Sequence, residues 1–384
     1  MSSLPPPSPE ALAHSARLRE LVLRDIEVQG GWIPFSRYME LALYAPGLGY
    51  YTAGSHKFGS AGDFVTAPEI SPLFGRTLAR QMAEIMQHSA PQVLELGAGS
   101  GRLATDILLE LERLGSLPER YSILEVSADL RQRQQALLRE RAPQLARRMQ
   151  WLEELPDRIE GVVIGNEVLD ALPVHVVHWG EDDILERGVI SNAGNFEWQD
   201  RLTENEALLQ IAQQIPMPAD SISEISLTAR GLTAGLCQRL KRGVLLLIDY
   251  GFGAKEYYHP QRTQGTLMCH YRHYAHDDPF FLTGLQDITA HVDFTAVAES
   301  AIDHGTALLG YTSQAHFLMN SGITCLLQET SPENLREYLP LSMQVQKLTS
   351  PAEMGELFKV IALGKGMEEV QLSGFTNGDL LRHL

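Results

Sequence analysis

Three glycines at alternate positions, Gly97, Gly99 and Gly101, follow the run Val93-Leu94-Glu95-Leu96, with Ala98 between the first two and helical character from Arg102 onward. Glycine has no Cβ and tolerates positive φ, so such a turn lets backbone approach a ligand closely. A helix starting just beyond it offers unpaired N–H groups to polar ligand atoms. An open α/β sheet holds nucleotide-like cofactors in this way. A dinucleotide site would read G-x-G-x-x-G, but Arg102 occupies its third glycine position and the glycine falls one residue earlier. S-adenosylmethionine has no phosphates; its site must take a cationic sulfonium and an amino-acid tail, which the acid Glu95 at a strand end suits. A second acid, Glu125, closes the next apolar run and is followed by Val126. It lies near the roughly 20-residue offset at which a carboxylate holds ribose hydroxyls. The pattern favours S-adenosylmethionine over a dinucleotide.

A second group of polar residues follows the run Gly161-Val162-Val163-Ile164-Gly165, namely Asn166, Glu167 and Asp170. Ligands of doubly wound sheets bind beyond the carboxyl ends of the strands. These three are therefore expected near the cofactor's reactive end, although any single acid here could equally be a helix cap. The run at 244–248 ends similarly in Asp249-Tyr250-Gly251. Two other clusters draw attention. Cys269-His270-x-x-His273-x-x-His276, followed by Asp277-Asp278, has a metal-like look, but its first two members are adjacent and no complementary pair occurs elsewhere. A polar loop without metal is expected. His291 and Asp293 would share a face if 289–293 were one strand, which makes His291 a secondary catalytic candidate.

The elements that must position these residues alternate. Apolar runs at 93–96, 121–125, 150–152, 162–165 and 244–249 are separated by helical segments near 102–114, 129–148 and 227–241. That alternation predicts a parallel sheet covered by helices. Residues 174–200 alternate instead as antiparallel strands with polar turns, an insertion in the α/β pattern. Upstream, 10–30 reads as an amphipathic helix. Residues 32–70 are rich in glycine, proline and aromatic rings, too many rings for a linker. Ser71-Pro72 reads as the cap and first turn of a helix reaching about 88. The C-terminal third adds a helix near 294–303, another near 312–321 and an apolar run at 357–363. The expected organisation is a disordered tail at 1–9, a helical and aromatic-loop region at 10–90, and an α/β core at 91–384.

The 384 residues carry a formal net charge of −17, which argues against binding to nucleic acid or anionic membranes. Cys237, Cys269 and Cys325 are too widely spaced for a disulfide framework and suit a reducing compartment. No apolar run approaches the roughly 20 residues of a membrane span. The proline-rich start lacks the pattern of a signal peptide. A cytoplasmic protein is expected, with no membrane insertion and with a homodimer left open.

Several separated segments together resemble the MidA family of class I methyltransferases. They are Gly49-Tyr50-Tyr51, Gly62-Asp63-Phe64-Val65-Thr66-Ala67-Pro68-Glu69-Ile70-Ser71, the glycine run, Gly165-Asn166-Glu167-Val168-Leu169-Asp170-Ala171-Leu172-Pro173, Asp249-Tyr250-Gly251, and Asp287-Ile288-Thr289-Ala290-His291-Val292-Asp293-Phe294. The order is maintained from about residue 15 to the end. The resemblance implies a Rossmann-like sheet and S-adenosylmethionine as cofactor. Gly97, Gly99 and Gly101 would line it, Glu125 would hold its ribose, and the 62–71 loop, with Gly62, Thr66, Glu69 and Ser71, would cover it. It also implies Asn166 and Glu167 near the methyl group, and as partner a protein with an exposed arginine, such as a respiratory-complex subunit. A guanidinium stays protonated at neutral pH, so a carboxylate must orient it and localise its charge. Glu167 and Asp170 are the residues expected to do so. Where many relatives have aromatics after Asn-Glu, this chain has Val168-Leu169, a difference in the acceptor pocket. Apart from the resemblance, a cofactor-binding scaffold, a small-molecule methyltransferase and a nicotinamide oxidoreductase are the alternative readings.

Overall fold

The computed structural model describes residues 5–53 and 66–384. The first residues of the expected tail and Gly62 of the expected covering loop lie outside the described residues. The chain divides into two compact units, each assembled from separate stretches of sequence.

One unit comprises Val65–Val168, Leu232–Gly253 and Val292–Leu384. Its sheet runs Ala307–Ser313, Phe358–Lys365, Leu240–Phe252, Ile159–Asn166, Gln92–Leu96, Arg120–Leu124, Met149–Leu152. The last five are mutually parallel, while Phe358–Lys365 is antiparallel to both its neighbours. The α/β reading of a Rossmann-like sheet is thus borne out, and each apolar run singled out in the sequence contributes a strand. The parallel strands read as continuous apolar runs because both faces are covered. Leu94, Val162, Val163, Ile164 and Leu245 to Leu247 are all buried. The helices Pro72–His88 and Arg102–Arg113 pack here, through Phe74, Leu78, Met82, Leu103, Ile107 and Leu111. Ser71 caps the first of these helices, its Oγ accepting the Leu73 N–H.

The helical stretch at 129–148 is not one helix. An α-helix, Ala128–Arg141, gives way at Pro143 to a 3₁₀ turn, Pro143–Arg148, because proline has no N–H and restricts the residue before it. The segment near 312–321 is the strand Ala307–Ser313 followed by the helix Gln314–Asn320, with Ser313 as its cap. The helix Leu335–Thr349 contains Pro340, a residue that reads as a breaker in sequence.

The other unit comprises Met1–Phe64, Leu169–Gly231 and Ala254–His291. The strands His175–Trp179, Ile184–Asn192 and Asn195–Leu202 form the antiparallel segment expected near 174–200, extended by Ser221–Ile225 and Ile33–Pro34. Part of the ring-rich stretch forms a helix, Phe35–Tyr44, whose buried aromatic residues Phe35 and Tyr38 are core. Tyr38 meets Phe196 and Phe280 edge-on at 5.5 and 5.2 Å between ring centroids, and Phe35 lies 4.9 Å from Trp198. The fully buried Tyr38 hydroxyl donates to the Pro279 carbonyl at 2.9 Å. Among the described residues, no helix is long and apolar enough to cross a membrane.

Replacing Tyr38 with phenylalanine leaves the Pro279 carbonyl without this buried donor. Loss of about 1–3 kcal/mol of stability is expected, read from urea unfolding of the purified variant. An unchanged midpoint would show that water satisfies the carbonyl instead.

Candidate active site

Strand order reverses between Gln92–Leu96 and Ile159–Asn166. The chain first winds outward through 120–124 and 149–152, then returns to the other side. A crevice opens beyond the carboxyl ends at such a reversal. The glycine turn and Asn166-Glu167 stand at these two ends, since Leu96 pairs with Gly165.

Gly97, Gly99 and Gly101 have φ of +59°, +51° and +84°. All three are left-handed, which for other residues costs roughly 1–2 kcal/mol each. A Cβ on Gly101 would lie 3.0 Å from the Gln134 Cα. Gln134 was not anticipated. Its Nε2 donates to the Gly99 carbonyl and to Glu125 Oε2, both at 3.0 Å, and its Oε1 accepts from Trp151 Nε1 at 2.9 Å. One amide thus ties the glycine turn to the acid expected to hold ribose. A signal existed: Ser127 caps this helix, and Gln134 is two turns further along the same face.

Glu125 is buried, with Oε1 accepting the Ser127 N–H at 2.9 Å. Burial raises its pKa, while those N–H donors oppose the shift. Val126 beside it is 65% exposed, an apolar side chain left open at the strand ends. Glu95 points into the sheet rather than out of the strand end. It is buried, and Oε2 accepts the Tyr121 hydroxyl of the neighbouring strand at 2.8 Å. Burial pushes its pKa up to about 7; the Tyr121 bond lowers it and Glu125 raises it.

Glu69, on the short helix Ala67–Ile70, is occupied by the protein itself. Ser100 Oγ donates to Oε1 at 2.5 Å, and Arg102 Nη1 lies 3.3 Å from Oε2. The arginine that displaces the third glycine therefore anchors the 66–71 segment to the glycine turn. That segment reaches Glu167, where the Ala67 N–H approaches Oε1 at 3.4 Å and Asn166 Nδ2 donates to the same oxygen at 3.0 Å. Glu167 has φ of +52°, a strained conformation for a non-glycine residue, at a cost of roughly 1–3 kcal/mol. Asn166 Oδ1 is buried with no hydrogen-bond partner among the described residues.

Asp170 and His291 belong to the other unit. The Asp170 carbonyl accepts the Ala290 N–H at 3.0 Å, and the His291 N–H donates to Thr266 Oγ1 at 3.0 Å. The expectation of one strand through 289–293 is corrected. The strands are Asp287–Thr289 and Val292–Asp293, and Asp293 caps the helix Phe294–Asp303 by accepting from Thr295 and Ala296. Cys269 and His276 pair across the hairpin of Met268–Tyr271 and Tyr274–His276. Among the described residues, no three His, Cys, Asp or Glu side chains are grouped to hold a metal ion.

Residues 77–312 match the family model of S-adenosyl-L-methionine-dependent methyltransferases. The chain is 30% identical over 384 residues to the mitochondrial protein arginine methyltransferase NDUFAF7 homolog of Drosophila melanogaster, covering 90% of this chain and 84% of that protein. It is 30% identical over 370 residues to the mitochondrial protein arginine methyltransferase NDUFAF7 of Mus musculus, covering 87% and 81%. The crystal structure of a Burkholderia thailandensis protein bound to S-adenosyl-homocysteine superposes with a TM-score of 0.96 at 49% identity, covering 100% of both chains.

Glu95 generates a pH prediction. An acid whose folded pKa is raised from 4.5 to about 7 keeps its proton in the fold after the unfolded chain has lost it. Stability therefore falls as pH rises through that window, by on the order of 3 kcal/mol in all. Glu95→Gln keeps an acceptor for Tyr121 and removes the titration. Its Tm should exceed the wild type's at neutral pH and vary less between about pH 5 and about pH 7. Equal slopes in the two proteins would refute the buried-acid account.

Proposed function

The chain belongs to the MidA-type family of S-adenosylmethionine-dependent methyltransferases, and from that premise we propose that its methyl acceptor is an arginine side chain of a protein. Bound S-adenosylmethionine supplies an electrophilic methyl group on a sulfonium. The residues present suit that cofactor. The left-handed backbone at 97, 99 and 101 leaves no side chain in the way of close approach at these positions, with Ala98 between. Glu125, fixed by Ser127 and Gln134, is oriented to accept from ribose hydroxyls. Val126 offers an exposed apolar surface to a purine. We assign Thr66, Glu69 and Ser71 to the segment flanking the cofactor, with Glu69 acting through Ser100 and Arg102. Glu95 contributes from within its strand.

The observation that carries the acceptor assignment is Glu167. It is a carboxylate held in a strained turn beyond the strand end nearest the glycine turn, with one oxygen fixed by two N–H donors. A carboxylate pairs with a guanidinium through charge-assisted hydrogen bonds. Such pairing orients the planar group and draws its charge toward one edge, leaving the opposite nitrogen to attack. Asp170, three residues on in sequence, is the second candidate for this pairing, and Asn166 and His291 are supporting ones. In-line positioning supplies the remaining rate enhancement. The names of the curated relatives support arginine as acceptor. A respiratory-complex subunit is the example the family suggests. Three free cysteines support a reducing compartment, for which we propose the cytoplasm; the relatives' names specify mitochondria.

Calorimetric titration should show S-adenosylhomocysteine binding with micromolar Kd or better. Gly101→Ala, which strains the turn and crowds Gln134, should weaken it at least about tenfold, the factor expected for roughly 1.4 kcal/mol. Wild-type affinity in this variant would place the cofactor elsewhere. Acceptor identity is read by incubating the enzyme and a methyl-labelled donor with lysate from a strain lacking the protein. Label should appear on arginine in protein, and Glu167→Gln should abolish it while retaining cofactor affinity. Label confined to small molecules, or full labelling by Glu167→Gln, overturns the acceptor assignment.

A further inference from the structure

The strained turn at Glu167 is held from below by a residue with no role so far. Asp249 ends the apolar core of the neighbouring strand, Leu240–Phe252, and its side chain is fully buried. Its Oδ2 accepts the Val168 N–H at 3.1 Å and its Oδ1 accepts the Tyr250 N–H at 2.9 Å. The two strands are in parallel register up to Asn166 and Ile248, and the Glu167 N–H closes the ladder on the Ile248 carbonyl at 2.9 Å. One residue later the ladder must end, because Glu167 turns left-handed. The Val168 N–H, aimed back at the sheet, then meets a carboxylate instead of a carbonyl.

We propose that Asp249 is a positioning residue for Glu167. The inference rests on the assignment of Glu167 to the acceptor. A backbone in a sparsely populated conformation persists only where its surroundings over-determine it. Asp249 supplies that determination by fixing the amide just after Glu167 and the amide of its own successor with one rigid carboxylate. The same turn seats Val168 beside the glycine loop, 3.7 Å from where a Cβ on Gly97 would stand. Holding Val168 thus directs the Glu167 side chain toward Ala67 and Asn166. The requirement is for two acceptor oxygens. Asparagine has nearly the same shape but presents one oxygen and one NH₂, so one of the two N–H groups would face a donor.

The test compares Asp249→Asn, Glu167→Gln and the wild-type full chain in three measurements. These are S-adenosylhomocysteine affinity by calorimetry, hydrogen–deuterium exchange of peptides spanning 166–170, and methyl label transferred to protein in lysate from a strain lacking this chain. In Asp249→Asn, exchange at 166–170 should accelerate at least about tenfold and label transfer should fall at least about tenfold, while cofactor affinity changes less than about threefold. Unaltered exchange at 166–170, undiminished label transfer, or loss of cofactor affinity in step with activity would each overturn the proposal. If Glu167→Gln is inactive while Asp249→Asn is fully active, only the positioning role fails. If Glu167→Gln is itself fully active, the acceptor assignment fails first.

Discussion

The glycine turn and the turn at Asn166-Glu167 are set side by side by one pairing, that of Gln92–Leu96 with Ile159–Asn166. These strands are neighbours in space but are separated in sequence by two further strands, which wind off in the other direction. The sheet must therefore reverse at this point, and no helix can cover the gap between the two departing chains. The polar groups at these strand ends flank that gap. The glycine turn leaves one strand, Asn166 and Glu167 leave the other, and Asp249 underlies the second from the next strand over. Were the pairing shifted by one residue, the glycine turn would no longer stand level with Asn166-Glu167.

The polar groups around this reversal bond to one another. Gln134 joins the glycine turn to Glu125 and Trp151, Ser100 and Arg102 join it to Glu69, and the Ala67 backbone joins that segment to Glu167. Buried polar groups are costly unless satisfied, so each bond here is first a structural requirement. Each also removes a degree of freedom from a group at the strand ends, where the proposed cofactor and acceptor sites lie. Catalysis that relies on positioning rather than on a covalent intermediate benefits from that economy of motion.

What the sequence made legible was whatever is encoded locally. The strands at 92–96, 120–124 and 159–166 are apolar runs bounded by turn residues, and Ser71-Pro72 announces its helix by cap chemistry. The glycine turn is visible because only glycine suits three left-handed positions so close together. Glu167 is different, since glutamate gives no hint of a left-handed backbone, and its strain is imposed by groups distant in sequence. Asp249 was read as another polar strand end; its task appears only once the strand that carries it lies beside Glu167. His291 and Asp293 misled for a related reason. Alternation predicts a shared face only within one continuous strand, and the chain breaks between them to begin a helix that Asp293 caps. Gln134 had a readable signal in the register set by Ser127, but glutamine on a helix surface attracts no notice without it.

The contact between Arg102 and Glu69 has a bearing on how such a site can change over generations. Glycine at 102 would restore, on paper, the spacing of a dinucleotide site. It would also leave Glu69, whose side chain is 14% exposed, without its cation and with Ser100 as its remaining tie to the glycine turn. The identity of the loop is therefore stored at two positions, 33 residues apart in sequence, and each sets the penalty for altering the other. A substitution at either position acts on the glycine turn and on the 66–71 segment together.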